Sequence, residues 1–274
     1  MTKVICIDSF KPSYLEYAPF LSSLTKKYQY GKLKVPTGFW GGMETFFKGE
    51  SNTLAFYYHS NDSSLRWTRR FAFLGRRTLN IIINLQRLFR NQRQFFLTHN
   101  IPLKELYKFE SAVKREFTQD ADCDYIHIGE LDGIAHKYGT KANETINCIK
   151  RIDNKLSKMD FDVVMSDHGM VDVKEVISVH VTRNCFIDSV MARYWGECPE
   201  LPKNKGKLIK TDKKWGDYVF LVKPGILISP NFWSKNPVKA MHGYELECNG
   251  FYIIKKNGSK INLTMKQLHD LIFL

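Results

Sequence analysis

Three acidic residues lie just past short apolar runs, and two of them have a histidine beside them or one helical turn later. They are Asp8 after Val4–Ile7, Asp132 with His136 after Tyr125–Ile128, and Asp167 with His168 after Asp162–Met165. Carboxylate oxygens and imidazole nitrogens are ligands of zinc and similar divalent cations. Because loops past the carboxyl ends of parallel strands converge on one crevice in an open α/β sheet, we expect these side chains to meet there. The pattern predicts a site for two metal ions.

The spacing within each pair of residues limits how it can bind a cation. Asp132 and His136 offer two ligands to one ion if they begin a helix, because helical residues four apart share a face. Asp167 and His168 are adjacent, so they need an irregular backbone to point the same way, and the glycine that follows permits such a turn. His242 is also followed by glycine. A helix cap, a turn or a structural histidine would explain each of these features separately.

The elements that must hold these residues follow from the hydrophobic pattern. The apolar runs before the three acids predict buried strands, and further strands are predicted at Leu33–Val35, Tyr218–Val222 and Phe251–Ile254. Helices are predicted at Leu15–Tyr28, Gly42–Phe47, Arg76–Leu97, Glu105–Phe117 and Lys141–Leu156. The alternation of strands and helices predicts an α/β fold with a mostly parallel central sheet and helices on both faces.

The chain has 274 residues, which is long enough for one large domain. We expect a single catalytic domain over residues 1–274, with an aromatic and basic excursion at about 50–100. A small loop-rich insertion, polar and lysine-rich, is expected at about 185–240. The 41 basic residues outnumber the 28 acidic ones, giving a formal charge of +13. This charge favours an anionic partner, although a solvated lysine-rich surface would also explain it.

Cysteine usage and hydropathy bear on the compartment. The six cysteines form no Cys-x-x-Cys pair, and Cys6 lies inside the first predicted strand. This usage is typical of reduced cytosolic thiols. No apolar run approaches the roughly 20 residues that span a bilayer. We therefore expect a cytoplasmic protein without a transmembrane segment.

Several segments together resemble the alkaline phosphatase superfamily, and most closely its nucleotide pyrophosphatase and type I phosphodiesterase branch. The matching segments are Ile7-Asp8-Ser9-Phe10, Pro36-Thr37, Gly129-Glu130-Leu131-Asp132, His136-Lys137-Tyr138-Gly139, Ser166-Asp167-His168-Gly169-Met170 and Met241-His242-Gly243-Tyr244. Their order and spacing fit the branch across nearly the whole chain. The resemblance implies an alkaline phosphatase-like fold and a metal-dependent hydrolase.

The resemblance also implies two metal sites, most simply for zinc. One would be formed by Asp132, His136 and His242, and the other by Asp8, Asp167 and His168 with the nucleophile as a further ligand. Two cations about 4 Å apart can assist an in-line displacement at phosphorus. Iron or manganese would also suit such ligands, because geometry and availability contribute to metal selection.

The nucleophile segment departs from the pattern of the branch. There a Pro-Thr-x-Thr-Phe-Pro-Asn segment carries the attacking residue at its second threonine, and in strict register that position is Phe39, which cannot attack. Thr37 is the nearest hydroxyl and becomes the candidate catalytic residue. Attack by a hydroxide on the metal, or loss of the covalent route, stays open.

The resemblance to the phosphodiesterase branch also suggests which residues contact the substrate. The asparagine of the family segment is missing, so phosphoryl contact is assigned to the backbone N–H groups of Gly41 and Gly42. Lys137, next to a ligand, is a further candidate for contact with phosphate. The aromatic residues Phe39, Trp40, Tyr57 and Tyr58 could stack on a base, line an apolar pocket for the leaving group or simply pack.

These observations favour hydrolysis of phosphodiester or pyrophosphate bonds in a nucleotide-like, phosphorylated small molecule. A phosphomonoesterase or a phosphoryl transferase of the same superfamily is the nearest alternative, since one site of this kind supports several reactions. A non-catalytic anion or nucleic-acid binder is a further alternative, but the chain has no recognised nucleic-acid motif. The sequence does not indicate the oligomeric state.

Overall fold

A computed structural model describes residues 2–38, 41–49, 54–55, 123–182, 185–210, 216–231 and 236–274. The predicted helices Arg76–Leu97 and Glu105–Phe117 lie outside these residues. So does the excursion at about 50–100, except for one short strand. Among the described helices, none combines the length and the hydropathy needed to cross a bilayer.

In the described part of the chain, helices lie among the strands as far as β6, and strands predominate after that. The strands are β1 (Thr2–Ile7), β2 (Tyr28–Lys34), β3 (Thr37–Gly38), β4 (Leu54–Ala55), β5 (Cys123–Ile128), β6 (Val163–Met165), β7 (Val171–Asp172), β8 (Glu175–Ile177), β9 (Cys185–Ile187), β10 (Met191–Tyr194), β11 (Gly206–Lys210), β12 (Tyr218–Val222), β13 (Ile226–Ile228), β14 (Ala240–Met241), β15 (Gly250–Asn257) and β16 (Leu263–Thr264). The helices are α1 (Pro19–Leu24), α2 (Gly41–Lys48), α3 (Glu130–Tyr138), α4 (Asn143–Leu156) and α5 (Met265–Phe273), and a 3-10 helix covers Pro12–Tyr17.

The central sheet has the strand order β16-β2-β15-β6-β1-β5. The pairs β1–β5, β1–β6 and β2–β16 are parallel, whereas β15 runs antiparallel to both of its neighbours. All the other strands of this sheet therefore point the same way, which confirms the predicted mostly parallel sheet. Since β1 lies between β5 and β6, the three strands that precede the acidic residues are adjacent.

Helices cover both faces of this sheet, as predicted, and β1 shows why. Val4 and Cys6 face a hydrophobic core that includes Met43 and Phe46 of α2 and Leu268 of α5. The alternate residues of β1 face the opposite core, where α1 and α4 pack. A strand that is buried on both faces has a continuous apolar sequence, which is what the chain has before Asp8.

The predicted helix at Leu15–Tyr28 is wrong as a continuous element. The chain instead forms the 3-10 helix, then α1, and enters β2 at Tyr28. Proline disfavours helical geometry in the residue before it and lacks an N–H donor, so Pro19 separates the two helical turns. Ala18 accordingly has φ −123° and ψ 75°.

The segment predicted as a lysine-rich insertion contains a second sheet, with the order β11-β12-β10-β9 and antiparallel pairing. Its buried residues form a hydrophobic cluster that also includes Met241 and Tyr244. Arg193 of this sheet is fully buried, and its guanidinium lies 4.9 Å from the ring centre of Phe186. Part of the lysine-rich stretch is β11, so this region has more regular structure than a loop-rich insertion. The boundaries at about 185–240 stay a prediction.

One buried carboxylate joins α1 to α4. Asp153 accepts hydrogen bonds from the backbone N–H groups of Phe20 and Leu21, each at 2.9 Å. These N–H groups belong to the first turn of α1, which lacks a side-chain cap of its own.

We predict that Asp153→Ala lowers the free energy of unfolding by about 2 kcal/mol, because two buried donors lose their acceptor. Urea denaturation measures this change. Asn154→Ala, at the next and exposed position of α4, is the control and should change stability little. Equal unfolding midpoints for the two variants would contradict the capping role.

Candidate metal centre

The adjacent strands β5, β1 and β6 bring the three acidic residues to one edge of the sheet. Asp8 follows β1 directly, and its backbone N–H donates to the Ile128 carbonyl at the end of β5, at 3.1 Å. Asp167 comes two residues after β6, and Asp132 lies in the first turn of α3. The topology therefore brings Asp8 together with two acids that lie more than 100 positions later in the chain.

One candidate ligand group consists of Asp132, His168 and His242, whose ligand atoms all lie within 4.8 Å of one another. The Oδ1 atom of Asp132 is 3.8 Å from Nε2 of His242. The same oxygen is 3.2 Å from Nε2 of His136, one helical turn later in α3. The ring of His136 lies 5.2 Å from that of His242. The three residues assigned to this site by resemblance are thus in contact range, with His168 beside them.

The second candidate group consists of Asp8, Asp167 and His168. Nε2 of His168 is 3.4 Å from Oδ1 of Asp8 and 3.6 Å from Oδ2 of Asp167. Its ring also stacks on that of His242, with centres 3.8 Å apart and planes at 11°. His168 therefore lies between the two groups. All six predicted ligand residues meet in one place.

Hydrogen bonds to the other ring nitrogen direct two of these histidines. Nδ1 of His136 is 2.8 Å from the Ala240 carbonyl, and Nδ1 of His168 is 3.2 Å from the Gly169 carbonyl. A carbonyl can only accept, so each Nδ1 carries the proton. Each Nε2 faces the carboxylates and is the ring nitrogen that a cation would bind. This orientation by a backbone acceptor is common around metal-binding histidines.

The electrostatics of the cluster favour a bound cation. Burial, followed by the charges of Asp167 and Asp132, raises the pKa of the Asp8 carboxyl well above its usual range. Burial and the charge of His168 lower the pKa of His242 well below its ordinary value. Crowded carboxylates and a neutral imidazole suit a divalent ion, which neutralises the former and binds the latter. The donor set therefore fits the metal sites that the fold family implies.

Two glycines follow ligand histidines, and they serve different needs. Gly243 has φ +88°, a left-handed conformation that glycine adopts without strain. Gly169 has no such φ, but a Cβ atom there would lie 2.4 Å from the Asn249 carbonyl oxygen. The sequence argument that Gly169 permits an unusual turn is therefore replaced by one of close packing against the segment before β15.

Thr37 lies in β3 and is 6% exposed. The next residue, Gly38, contacts the loop of His242. The N–H of Gly38 donates to the Gly243 carbonyl at 3.0 Å, next to His242. Helix α2 begins at Gly41, one residue earlier than predicted, so Gly41 and Gly42 form its N-terminus. The roles assigned to these three residues stay predictions.

Lys137 is exposed, and its ammonium lies 4.8 Å from the ring centre of Tyr138. Contact with phosphate therefore stays a prediction for this residue. Phe39, Trp40, Tyr57 and Tyr58 lie outside the described residues.

Three residues near the ligands were not assigned a role from the sequence: Ser9, Tyr125 and His127. His127 is 2% exposed, and its Nε2 is 3.2 Å from Oδ2 of Asp8. Its Nδ1 is 2.9 Å from the Tyr125 hydroxyl. Burial raises the pKa of Tyr125 well above its usual range, so the hydroxyl is protonated and can donate to Nδ1. His127 then donates from Nε2 to Asp8. The sequence did contain a sign of this role, since His127 is a polar residue on the buried face of β5, the strand that ends beside the site.

Comparisons with known proteins bear on the fold. No family model matches the chain, and no curated protein sequence matches it. Solved structures do match: murine ectonucleotide pyrophosphatase/phosphodiesterase 5 aligns over 98% of this chain and 93% of its own, with TM-score 0.60 and 14% identity. The human protein aligns over the same shares, with TM-score 0.59 and 13% identity. This chain has the nucleotide pyrophosphatase/phosphodiesterase fold. The resemblance drawn from the motifs is thereby confirmed for the fold.

One murine structure is that of an inactive variant, in which a threonine is replaced by alanine, in complex with AMP. That ligand belongs to the murine protein. At 14% identity the likeness concerns the fold of this chain, and its chemistry has to be argued from its own residues.

We predict that His127→Leu weakens zinc binding by about 10- to 100-fold, because Asp8 loses the donor that orients it. Titration of metal-free protein with zinc, in competition with a chromophoric chelator, measures the affinity. His180→Leu makes the same exchange at an exposed histidine and should bind zinc as the unaltered protein does. If both variants bind alike, His127 has no part in holding Asp8.

Proposed function

We propose that this protein is a metal-dependent hydrolase of phosphodiester or pyrophosphate bonds in a nucleotide-like small molecule. The observation that carries the proposal is the pair of acid and histidine groups that share His168 at the edge of the parallel sheet. The fold of phosphodiesterases, and the AMP bound by a murine protein of that fold, supports this class of substrate.

Two divalent ions, when bound, would lower the pKa of the attacking oxygen and neutralise the leaving oxygen. The chain's own residues supply the geometry for this chemistry. Asp132, His136 and His242 would hold one ion, and Asp8, Asp167 and His168 the other. Because His168 contacts residues of both groups, its ring limits how far apart the two sites can be.

Thr37 is the proposed nucleophile. Its hydroxyl would give its proton to solvent, and Oγ1 would bond to phosphorus while the bond to the leaving oxygen breaks; the leaving oxygen would take a proton from solvent. Water would then hydrolyse the phosphothreonine and restore the hydroxyl. The link from Gly38 to Gly243 supports this role, since it holds the segment beside the loop of His242. The inactive murine variant, which replaces a threonine by alanine, points to the same kind of residue.

The phosphoryl group would accept hydrogen bonds from the N-terminus of α2, where Gly41 and Gly42 present backbone N–H groups. Lys137 would contact substrate phosphate only after leaving the ring of Tyr138. Direct attack by water, without Thr37, is the competing route, because strict register with the family places Phe39 at the nucleophile position.

Zinc and the cytoplasm are the finer parts of the proposal. Nitrogen and oxygen ligands in both groups suit zinc, and elemental analysis of the purified protein would identify the metal. All six cysteines carry thiols, as expected for a reducing compartment. Fractionation of cells that make the protein would check the location.

We predict that chelation abolishes hydrolysis of bis-nitrophenyl phosphate and that added zinc restores it. Asp132→Asn should act like the chelator, whereas Asp160→Asn should not, because Asp160 is an exposed acid paired with Lys3. Rates on the nitrophenyl monoester, measured beside those on the diester, separate the alternatives. Hydrolysis that survives chelation would refute the metal-dependent mechanism, and a faster monoester reaction would favour a phosphomonoesterase.

We predict that Thr37→Ala lowers kcat on the diester by about 10³-fold or more, because the nucleophile is lost. Thr37→Ser keeps a hydroxyl and should retain much of the activity. Thr45→Ala is the matched control, since Thr45 lines the same cavity as Thr37 but has no proposed role. Turnover of Thr37→Ala within a few-fold of the unaltered protein would establish attack by water instead.

A further inference from the structure

Ser9 occupies an unusual backbone position directly after Asp8. Its φ is +65°, in the left-handed region that residues other than glycine rarely adopt. The turn is closed by a hydrogen bond from the Phe10 N–H to the Ile7 carbonyl, at 3.2 Å. Glycine would adopt this turn without steric strain. A serine here is therefore explained by what its side chain does, since strained positions are kept where the surroundings use them.

The side chain of Ser9 is fully buried and contacts both ligand groups. Its Oγ donates to Oδ1 of Asp132 at 2.6 Å. The same oxygen is 3.3 Å from Nδ1 of His168 and 3.4 Å from Oδ1 of Asp8. The backbone N–H of Ser9 donates to Oδ1 of Asp167 at 3.3 Å. One residue thus contacts three carboxylates and one imidazole of the metal centre.

The hydroxyl of Ser9 has a single proton, and this fixes the direction of its hydrogen bonds. Asp132 can only accept, and it is the nearest partner, so the Ser9 proton points to Asp132. The Oγ lone pairs then accept from Nδ1 of His168, which carries a proton that it shares with the Gly169 carbonyl. With Nδ1 held in this way, Nε2 faces Asp8 and Asp167 and is the ring nitrogen that a cation would bind.

We propose that Ser9 is a positioning residue that links the two metal sites, because its hydroxyl joins Asp132 of one to His168 of the other. The proposal rests on the two-metal site of the proposed function. Ser9 need not touch either ion. It fixes the separation of Asp132 and His168 and keeps the latter in the tautomer that presents Nε2 to the metal.

Two substitutions separate the hydroxyl from the backbone conformation. Ser9→Ala removes Oγ and keeps a Cβ atom in the left-handed region, whereas Ser9→Gly removes Oγ and relieves the strain. We predict that both variants bind zinc about tenfold or more weakly than the unaltered protein, by competition titration of the metal-free full chain. Ser9→Gly should nevertheless unfold at a higher temperature than Ser9→Ala. Zinc affinity would then fall in both variants although their unfolding temperatures differ, so a loss of stability would not explain the weaker binding.

Glu247→Gly is the control for relief of backbone strain. Glu247 is exposed and has φ +66°, nearly the same as Ser9. This variant should bind zinc as the unaltered protein does. Weaker binding by Glu247→Gly, equal to that of Ser9→Gly, would overturn the proposal, because a general change of the backbone would then explain the effect.

The remaining outcomes are also decisive. If the unaltered protein binds two zinc ions and Ser9→Gly binds both equally well, the hydroxyl has no positioning role, while the two-metal site stands. If Ser9→Ala binds weakly but Ser9→Gly binds normally, the backbone matters and the hydroxyl does not. If the unaltered protein binds no divalent zinc at all, both the proposed function and the role of Ser9 fail.

Discussion

The close approach of three carboxylates at the edge of a hydrophobic sheet is the constraint on which the site depends. Asp8, Asp132 and Asp167 repel one another, and burial makes each charge more costly than it would be in water. The fold brings them together because β5, β1 and β6 are neighbours and all end at the same edge. The hydrophobic cores on both faces of the sheet hold this arrangement against the repulsion. A bound cation would compensate this charge.

Contacts that hold this cluster in place extend through the sheet to α2, the helix that follows Thr37. The Phe47 ring of α2 packs against Tyr125 at 5.0 Å between ring centres. Tyr125 contacts His127, which in turn contacts Asp8. The packing of Phe47 is thereby connected to the orientation of Asp8 through two hydrogen bonds, Tyr125 to His127 and His127 to Asp8. The helix whose N-terminus is proposed to bind phosphate and the carboxylate proposed to bind metal therefore rest on the same strand.

The sequence was a good guide where one residue type has few uses. Acidic residues after continuous apolar runs predicted both the parallel strands and the approach of Asp8, Asp132 and Asp167, whereas the full set of six came from the resemblance of the motifs. The sequence was a poor guide where the role of a residue depends on its contacts with distant parts of the chain. Nothing local to His127 separates a packed histidine from one that holds Asp8, and nothing local to Ser9 indicates a left-handed turn. The split of the helix at Pro19 was predictable from proline chemistry. The strand predicted at Leu33–Val35 begins five residues too late, because the buried face of β2 carries Gln29 and Gly31 rather than large apolar residues.

The loop of His242 shows why the site cannot be complete before the last third of the chain is in place. This histidine follows β14, which pairs with β7, outside the central sheet. Its neighbour Gly243 accepts from Gly38, beside the proposed nucleophile, and a Cβ atom at Gly243 would lie 3.2 Å from both the Gly38 oxygen and a methyl group of Val190. Val190 belongs to the hydrophobic cluster of the second sheet. The cluster of the second sheet thus packs against the loop of His242, and this loop in turn contacts Gly38, so the packing of the second sheet affects where the loop of His242 and the proposed nucleophile approach each other.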